Sequence, residues 1–267
     1  MRNARILCAG LCVVAAGGLA AQPPPPAPTD AAPAVQWLSE PFPPFSFVGP
    51  SGPTGVAVDL MKAAQAQANL PEGAPLFLPW ARVLQMLAGP APACVTAMTR
   101  TPAREKQYQW VGPFLPADLA VGRRTPASPW PVGDKPLAGS DVVVIRGDIS
   151  EEVARTLGAE EARIHRVADP VIAARMMLAG RVDGWVYGEA VMRWTLTSLD
   201  IPPDRYRFDG QIRGGDNYFS CNAAVSADYL KRLQQGLDAA KKAGKGGASD
   251  YDRILSRHLR TDTLSRK

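Results

Sequence analysis

The chain has only two histidines and four cysteines among its 267 residues. His165 sits in a charged R-I-H-R stretch and His258 near the carboxyl end. Neither lies beside a serine or cysteine motif, and neither stands at metal-ligand spacing from carboxylates. Nucleophilic catalysis through a histidine pair and a histidine-built metal centre therefore lack their residues, and both histidines read as surface groups. Nor is there a phosphate-cradling loop, because G-K-G-G at 244–247 lacks the strand and helix that such a loop requires. Charge of one sign is scarce as well. The net charge of +5 falls by two with the arginines of the first 20 residues, which is too little to suggest a nucleic-acid partner. After those residues no segment is apolar enough to cross a bilayer.

What is present begins with Arg2 and Arg5 ahead of an apolar run from Ile6 to Ala20, closed by the small residues Gly18 and Ala20. This is the pattern of a secretory signal peptide over residues 1–20, and Cys8 and Cys12 have no lipidation context. Residues 21–34 are rich in proline, build neither helix nor central strand, and read as an extended tether. About 230 residues remain, enough for one large domain or two small lobes. Short β-rich runs at Ala117–Val121, Asp141–Ile145 and Val182–Tyr187 alternate with helical stretches at Val56–Ala68, Val83–Leu87 and Pro170–Ala179. Such alternation predicts α/β units with largely parallel sheets. Ser226 caps a helix carrying Tyr229, Leu230, Leu233 and Leu237 on one face, stopped by the glycines at 244–247. Ser249 and Asp252 form a capping box for a last helix that buries Ile254, Leu255 and Leu259.

Several motifs follow one another in a telling order: E-P-F-P-P-F-S-F at Glu40–Phe47, G-V-A-V-D-L-M at Gly55–Met61, and P-W-A-R-V-L-Q-M-L from Pro79. T-R-T-P-A-R-E-K at Thr99–Lys106, W-V-G-P-F at Trp110–Phe114 and Y-D-R-I-L-S-R-H-L at Tyr251–Leu259 complete the series. Together they resemble the family 3 extracellular solute-binding proteins, the polar-amino-acid type of periplasmic receptor for ABC importers. The resemblance implies a two-lobed type II periplasmic-binding-protein fold, with residues 35–120 and 216–267 in lobe 1 and 121–215 in lobe 2. Two crossover strands, near Val121–Arg124 and Asp209–Gly215, would form a hinge that closes the lobes on a ligand. It further implies a monomeric, non-catalytic periplasmic protein without cofactor or metal. Such a protein captures a small polar, carboxylate-bearing solute, an amino acid or relative, and delivers it to an inner-membrane ABC permease. An exported dehydratase-like enzyme on the same fold is the alternative, with Glu189, Asp148 and Tyr187 as candidate acid/base groups. A sensory ligand-binding module is another.

The same resemblance assigns the site. Arg104 matches the arginine that grips a ligand carboxylate with two parallel donors, and Thr99 a hydroxyl that assists it. Phe42 and Trp80 match positions that flank the ligand body. Phe45 is expected to face the core, Glu40 to be an ordinary exposed glutamate with a place at the cleft mouth as the alternative, and Arg100 and Lys106 to face solvent. From the second lobe Asp148, Tyr187 and Glu189 would close the site. Asp148 departs from the family pattern, which has a small hydroxyl residue after the glycine so that a helix N-terminus can receive a carboxylate. Its own carboxylate would compete for those amides, cap the helix, or pair with a cationic group on the ligand. The usual partner of an α-amino group aligns with Gly188, with Glu189 as the neighbour. Family connectivity places Cys94 and Cys221 on adjacent strands, and export favours their oxidation to a disulfide; two buried thiols that never meet are the alternative.

Overall fold

The computed structural model describes residues 34–243 and 247–259. The signal peptide expected at 1–20, the tether at 21–34 except its last residue, and most of the glycine run at 244–247 lie outside the described residues. In chain order the strands are β1 (Gln36–Ser39), β2 (Phe47–Gly49), β3 (Gly52–Thr54), β4 (Leu76–Phe77), β5 (Ala93–Thr99), β6 (Gln109–Arg124), β7 (Val142–Ile145), β8 (Ile164–Val167), β9 (Gly184–Gly188) and β10 (Tyr206–Cys221). The helices are α1 (Val56–Gln67), α2 (Trp80–Leu87), α3 (Ser150–Thr156), α4 (Pro170–Leu178), α5 (Glu189–Ser198), α6 (Ala227–Lys241) and α7 (Asp250–His258). One eight-stranded sheet runs in the order β4-β1-β5-β10-β6-β9-β7-β8, and β2 and β3 pair separately as a hairpin.

Both ends of the sheet are parallel, as the alternation of strand and helix predicts: β1 runs with β4 and β5, and β7 with β8 and β9. The centre corrects that expectation. β10 is antiparallel to both β5 and β6, and β6 is antiparallel to β9. β6 and β10 are 16-residue strands paired with each other throughout, and each also serves one half of the sheet. β10 meets β5 only near Cys221, whereas β6 meets β9 only through Leu119–Gly122. The β6–β10 register slips between Asp209 and Ile212, again between Arg213 and Asp216, and again between Asn217 and Phe219. Such bulges bend and twist a strand locally.

Apolar packing follows the sequence periodicities. On one side of the sheet α1 buries Val56, Leu60, Met61 and Ala64 against Leu233 and Leu237 of α6, in a cluster with Trp37, Phe114 and Phe219. The helices meet closely at Gly236, where an added Cβ would lie 2.0 Å from the carbonyl oxygen of Ala64. A second cluster joins Leu38, Trp80, Val83 and Val95 to Val143, Ile145, Trp185 and Tyr187, so it links residues from both ends of the sheet. The expected caps are present: Ser226 accepts from the Tyr229 amide at 3.2 Å, and Ser249 and Asp252 bond reciprocally at the start of α7. Asp169 caps α4 ahead of Pro170, accepting from the Val171 amide at 2.6 Å.

Cys94 of β5 and Cys221 of β10 are register partners and are joined by a disulfide across 127 residues of chain. Both are fully buried in the cluster with Trp37 and Phe219. In the chain-entropy view a crosslink over so long a loop contributes up to about 5 kcal/mol by restricting the unfolded chain. Replacing both cysteines by alanine is expected to lower unfolding stability by several kcal/mol, on the order of 2–5. Urea titrations of the double variant and the oxidised protein measure this, and equal stability would show that the crosslink contributes nothing.

Candidate functional site

A cavity of about 580 Å³ opens where the two long strands pass between the halves of the sheet. Phe42, Phe45 and Thr99 line it from one side, Leu115–Leu119 and Gln211–Arg213 from the long strands, and Asp148, Tyr187 and Glu189 from the other side. Phe42, Thr99, Asp148, Tyr187 and Glu189 thus line one cavity. Arg104 and Trp80 are not among its lining residues and converge on a different atom.

The aromatic wall comes from a tight turn in which the Phe42 amide donates to the Ser46 carbonyl at 2.7 Å. Phe42 stacks on Phe45 with ring centroids 5.1 Å apart and meets Tyr187 edge-on at 5.7 Å. Phe45, expected to face only the core, also lines the cavity, because this stacking turns its ring alongside Phe42. Tyr187 stands on β9 beside the parallel ring of Trp185 and is 1% exposed. Its hydroxyl has no hydrogen-bond partner among the described residues. Burial, and then the charges of Glu40, Asp148 and Asp169, push its pKa well up and keep it neutral. A buried, unpaired hydroxyl of this kind costs about 1–3 kcal/mol. Glu189 opens α5 and is occupied: Arg193 donates to Oε1 at 2.8 and 2.6 Å, and Gln211 to Oε2 at 3.1 Å.

The turn between β7 and α3 satisfies its own amides. The Gly147 amide donates to Glu151 at 2.6 Å, and the Ser150 amide donates to Oδ1 of Asp148 at 2.9 Å. Asp148 therefore holds the first amide of α3 from one residue ahead of the N-cap, Ile149, which makes no side-chain cap bond, so Asp148 is not itself the cap that its sequence position also allows. Gly147 has a φ of 74°, in the left-handed region that favours glycine, and an added Cβ would lie 3.2 Å from Leu84. Its carbonyl oxygen accepts two hydrogen bonds, from Nε1 of Trp80 at 3.0 Å and from Nη2 of Arg104 at 2.9 Å. Arg104 also donates from Nη1 to the Thr99 carbonyl at 3.3 Å, and its guanidinium lies 5.7 Å over the Trp80 ring. Trp80 is 3% exposed and packs in the shared apolar cluster. The Thr99 hydroxyl donates to Asn217 at 3.3 Å. A smaller cavity of about 220 Å³ lies beside Arg104, Gly147, Asp148 and Glu151.

Two sequence expectations need correction. Glu40 is not an ordinary exposed glutamate: burial first, and then the charge of Asp148, raise its carboxyl pKa well above the usual range, with Arg104 opposing them. Only its place two residues before Phe42 could have signalled this. His258 is not a surface group either. Its Nε2 lies 2.7 Å from Asp59 with the side chain 10% exposed, beneath the edge of Phe47. It falls on the face of α7 that packs toward α1. His165 does lie at the surface, paired with Asp141 at 2.9 Å. Arg100, expected to face solvent, is partly exposed, paired with Glu105 and lying over Trp110 and Tyr218. Among the described residues, no group of three His, Cys, Asp or Glu side chains could hold a metal, and no helix is long and apolar enough to cross a membrane.

A mixed sheet spanned by two long strands, with a cavity at their passage, is the architecture of the two-lobed α/β binding proteins. A histidine kinase sensor domain with similarity to periplasmic binding proteins superposes with a TM-score of 0.71 at 19% identity, covering 86% of this chain and 97% of that one. An ancestral arginine-binding protein bound to glutamine gives 0.69 at 23% identity, covering 85% and 98%. The substrate-binding protein of an amino acid ABC transporter gives 0.68 at 17%, covering 85% and 100%. Residues 37–249 match the bacterial extracellular solute-binding proteins, family 3, and the chain belongs to that family. No individually curated protein matches the sequence.

Two predictions follow from these contacts. A side chain reserved for ligand would leave the stability of the free protein unchanged when removed. Arg104→Ala is instead expected to cost about 1–2 kcal/mol in urea denaturation, because the Gly147 carbonyl loses a charged donor. Trp80→Phe should be coupled to it in a double-mutant cycle by at least about 0.5 kcal/mol. Additive losses would separate the two bonds.

For Glu40, a raised folded-state pKa means that the folded protein holds the proton more tightly than the unfolded chain does. This contribution is fully present below the ordinary value of 4.5 and is lost as pH rises through the folded pKa. Glu40→Gln should therefore melt higher than the parent at pH 8 and alongside it near pH 4. A pH-independent difference would exclude the mechanism.

Proposed function

We propose that this is a periplasmic solute-binding protein that captures a small polar solute in the 580 Å³ cavity and hands it to an inner-membrane ABC permease without chemical change. The observation that carries this reading is the convergence of the Phe42–Phe45 wall, the unpaired Tyr187 hydroxyl and Asp148 on one cavity between the halves of the sheet. Pockets of this kind join apolar walls to a few placed polar groups. Family membership and the amino-acid-transporter likeness support delivery to a permease. On this reading residues 35–120 with 216–267 and residues 121–215 are the moving lobes, and the register slips between Asp209 and Phe219 are the flexible part of the hinge. A carboxylate on the solute would fall to Arg104 and Thr99. Arg104 is already shared between Thr99 and Gly147, so the weight of recognition rests on the rest of the cleft. The kinase sensor domain among the similar structures favours a second reading, in which the same closure signals to a membrane receptor.

A thermal-shift screen of the purified protein against amino acids, small organic acids and polyamines tests the proposal. A solute present at 100 times its Kd should stabilise the folded state by about 2.7 kcal/mol. The hit should be recovered unchanged by chromatography after incubation. Its conversion to a product would favour the dehydratase-like reading.

A further inference from the structure

We propose that Trp130 is a positioning residue for closure: it pins the bulge at Gly210 to the second half of the sheet, so that β10 bends only at Gly214–Gly215. This deepens the solute-binding reading, narrowing the flexible part of its hinge, and rests on closure about the two long strands.

β10 carries two bulges, each with one residue more than the facing stretch of β6 and each holding a glycine at positive φ. Asp209 to Ile212 faces Val121 to Leu119, with Gly210 at 58°, and Arg213 to Asp216 faces Asp118 to Pro116, with Gly215 at 121°. Both interrupt the ladder, so both are able to serve as a joint.

The first bulge is held from two sides. The connection from β6 to β7 folds back over it, and Trp130 within that connection is flanked by Pro129 and Pro131, which restrict the backbone on either side. A Cβ added at Gly210 would lie 3.0 Å from the Trp130 ring, so the indole rests directly on the bulge. Trp130 also packs against the apolar cluster of Val121, Val144 and Val186, which ties the bulge to the second half. Arg123 clamps this strap: its guanidinium lies 5.6 Å over the indole and donates to the Ser128 carbonyl at 3.0 Å and to Asp209 at 3.3 Å. Asp209, 8% exposed, also accepts from Arg207 at 3.0 Å. From α5, Arg193 lies 4.5 Å over Phe208, and Glu189 accepts from Gln211 at 3.1 Å.

At the second bulge the neighbours change. A Cβ added at Gly214 would meet Leu119 at 2.5 Å and Ile149 at 3.4 Å, both in that same cluster. One residue on, at Gly215, it would meet the Arg100 carbonyl oxygen at 3.1 Å and Thr99 at 3.5 Å. The Arg100 amide then donates to the Asp216 carbonyl at 3.1 Å. The strand thus passes from one half to the other within a single peptide step, and two adjacent glycines leave that step free to rotate. With both bulges loose, the halves would turn about two joints in series and the cavity walls would have no fixed line of approach. The strap removes one of the two.

Amide hydrogen exchange of the purified protein, followed residue by residue by NMR, tests this without any solute. Gly210 and Gln211 are expected to be at least about tenfold better protected than Gly214 and Gly215. Trp130→Ala should remove that difference while the amides of β7 and β8 keep their protection, and Trp130→Phe should preserve it. Gly210→Ala, which pushes a methyl into the indole, should release the bulge as Trp130→Ala does and decides the matter where Trp130→Ala fails to fold. Equal protection at the two bulges in the parent overturns the proposal. So does unaltered exchange at Gly210 in these variants, or exchange raised alike across β7 and β8, the mark of a residue that serves folding alone. Each of these failures leaves the solute-binding reading to the thermal-shift screen, which decides it separately.

Discussion

The antiparallel ladder between β6 and β10 is the constraint on which the other features depend. Two 16-residue strands paired along their length must pass out of one half of the sheet and into the other, so the parallel units at either end share a single spine. The cavity lies along that spine, and Leu115–Leu119 and Gln211–Arg213 form its floor. The Cys94–Cys221 disulfide fixes one end of the ladder to β5 inside the core. At the other end β6 pairs with β9 through Leu119–Gly122, which sets Tyr187 opposite Ala120 and so places the tyrosine at the cavity. Between these anchored ends the register slips, and a paired strand yields where its ladder is interrupted.

Beside the Phe42–Tyr187 contact and the shared apolar cluster, the two halves also meet at one backbone atom. A carbonyl oxygen has two lone pairs, and both of Gly147's are engaged by side chains from the far half, Trp80 and Arg104. The left-handed backbone at Gly147 presents the oxygen in that direction, and the absence of a Cβ lets Leu84 approach. Close by, burial and then the charge of Asp148 disfavour an ionised Glu40. The same few residues thus hold an attraction that draws the halves together and a carboxyl whose ionisation acts against it.

Much of this was legible in the sequence, and the unread parts share a physical cause. Caps at Ser226 and Ser249 and the helical face of α1 depend on neighbours a few residues away, so periodicity and spacing revealed them. The direction of β10 did not, because strand polarity at the centre depends on a partner nearly a hundred residues distant. Phe42, Thr99, Asp148, Tyr187 and Glu189 were placed at the cleft by family resemblance, whereas Glu40 was read as exposed. Glu40 is in fact half-buried, and the Asp148 charge that acts on its carboxyl arrives from the other half of the chain. Arg104 illustrates the same limit: the motif around it is local, but its partner, the Gly147 carbonyl, carries no side-chain letter at all.

On the proposed function, the balance between those forces determines how the protein works. A ligand shifts an equilibrium only by its differential affinity for the two states, and moving a population from 1:99 to 99:1 takes about 5.5 kcal/mol. The Gly147 bonds and the shared apolar cluster favour closure without a ligand, so by themselves they would reduce the difference that a ligand could make. The cost of ionising a buried Glu40 near Asp148 and the unpaired Tyr187 hydroxyl disfavour the same empty, closed state. Each of these costs disappears only when a group of suitable charge and hydrogen-bonding capacity enters. Specificity and switching are then one property, because the unsatisfied groups that select the solute also keep the empty cleft from closing as firmly as the filled one.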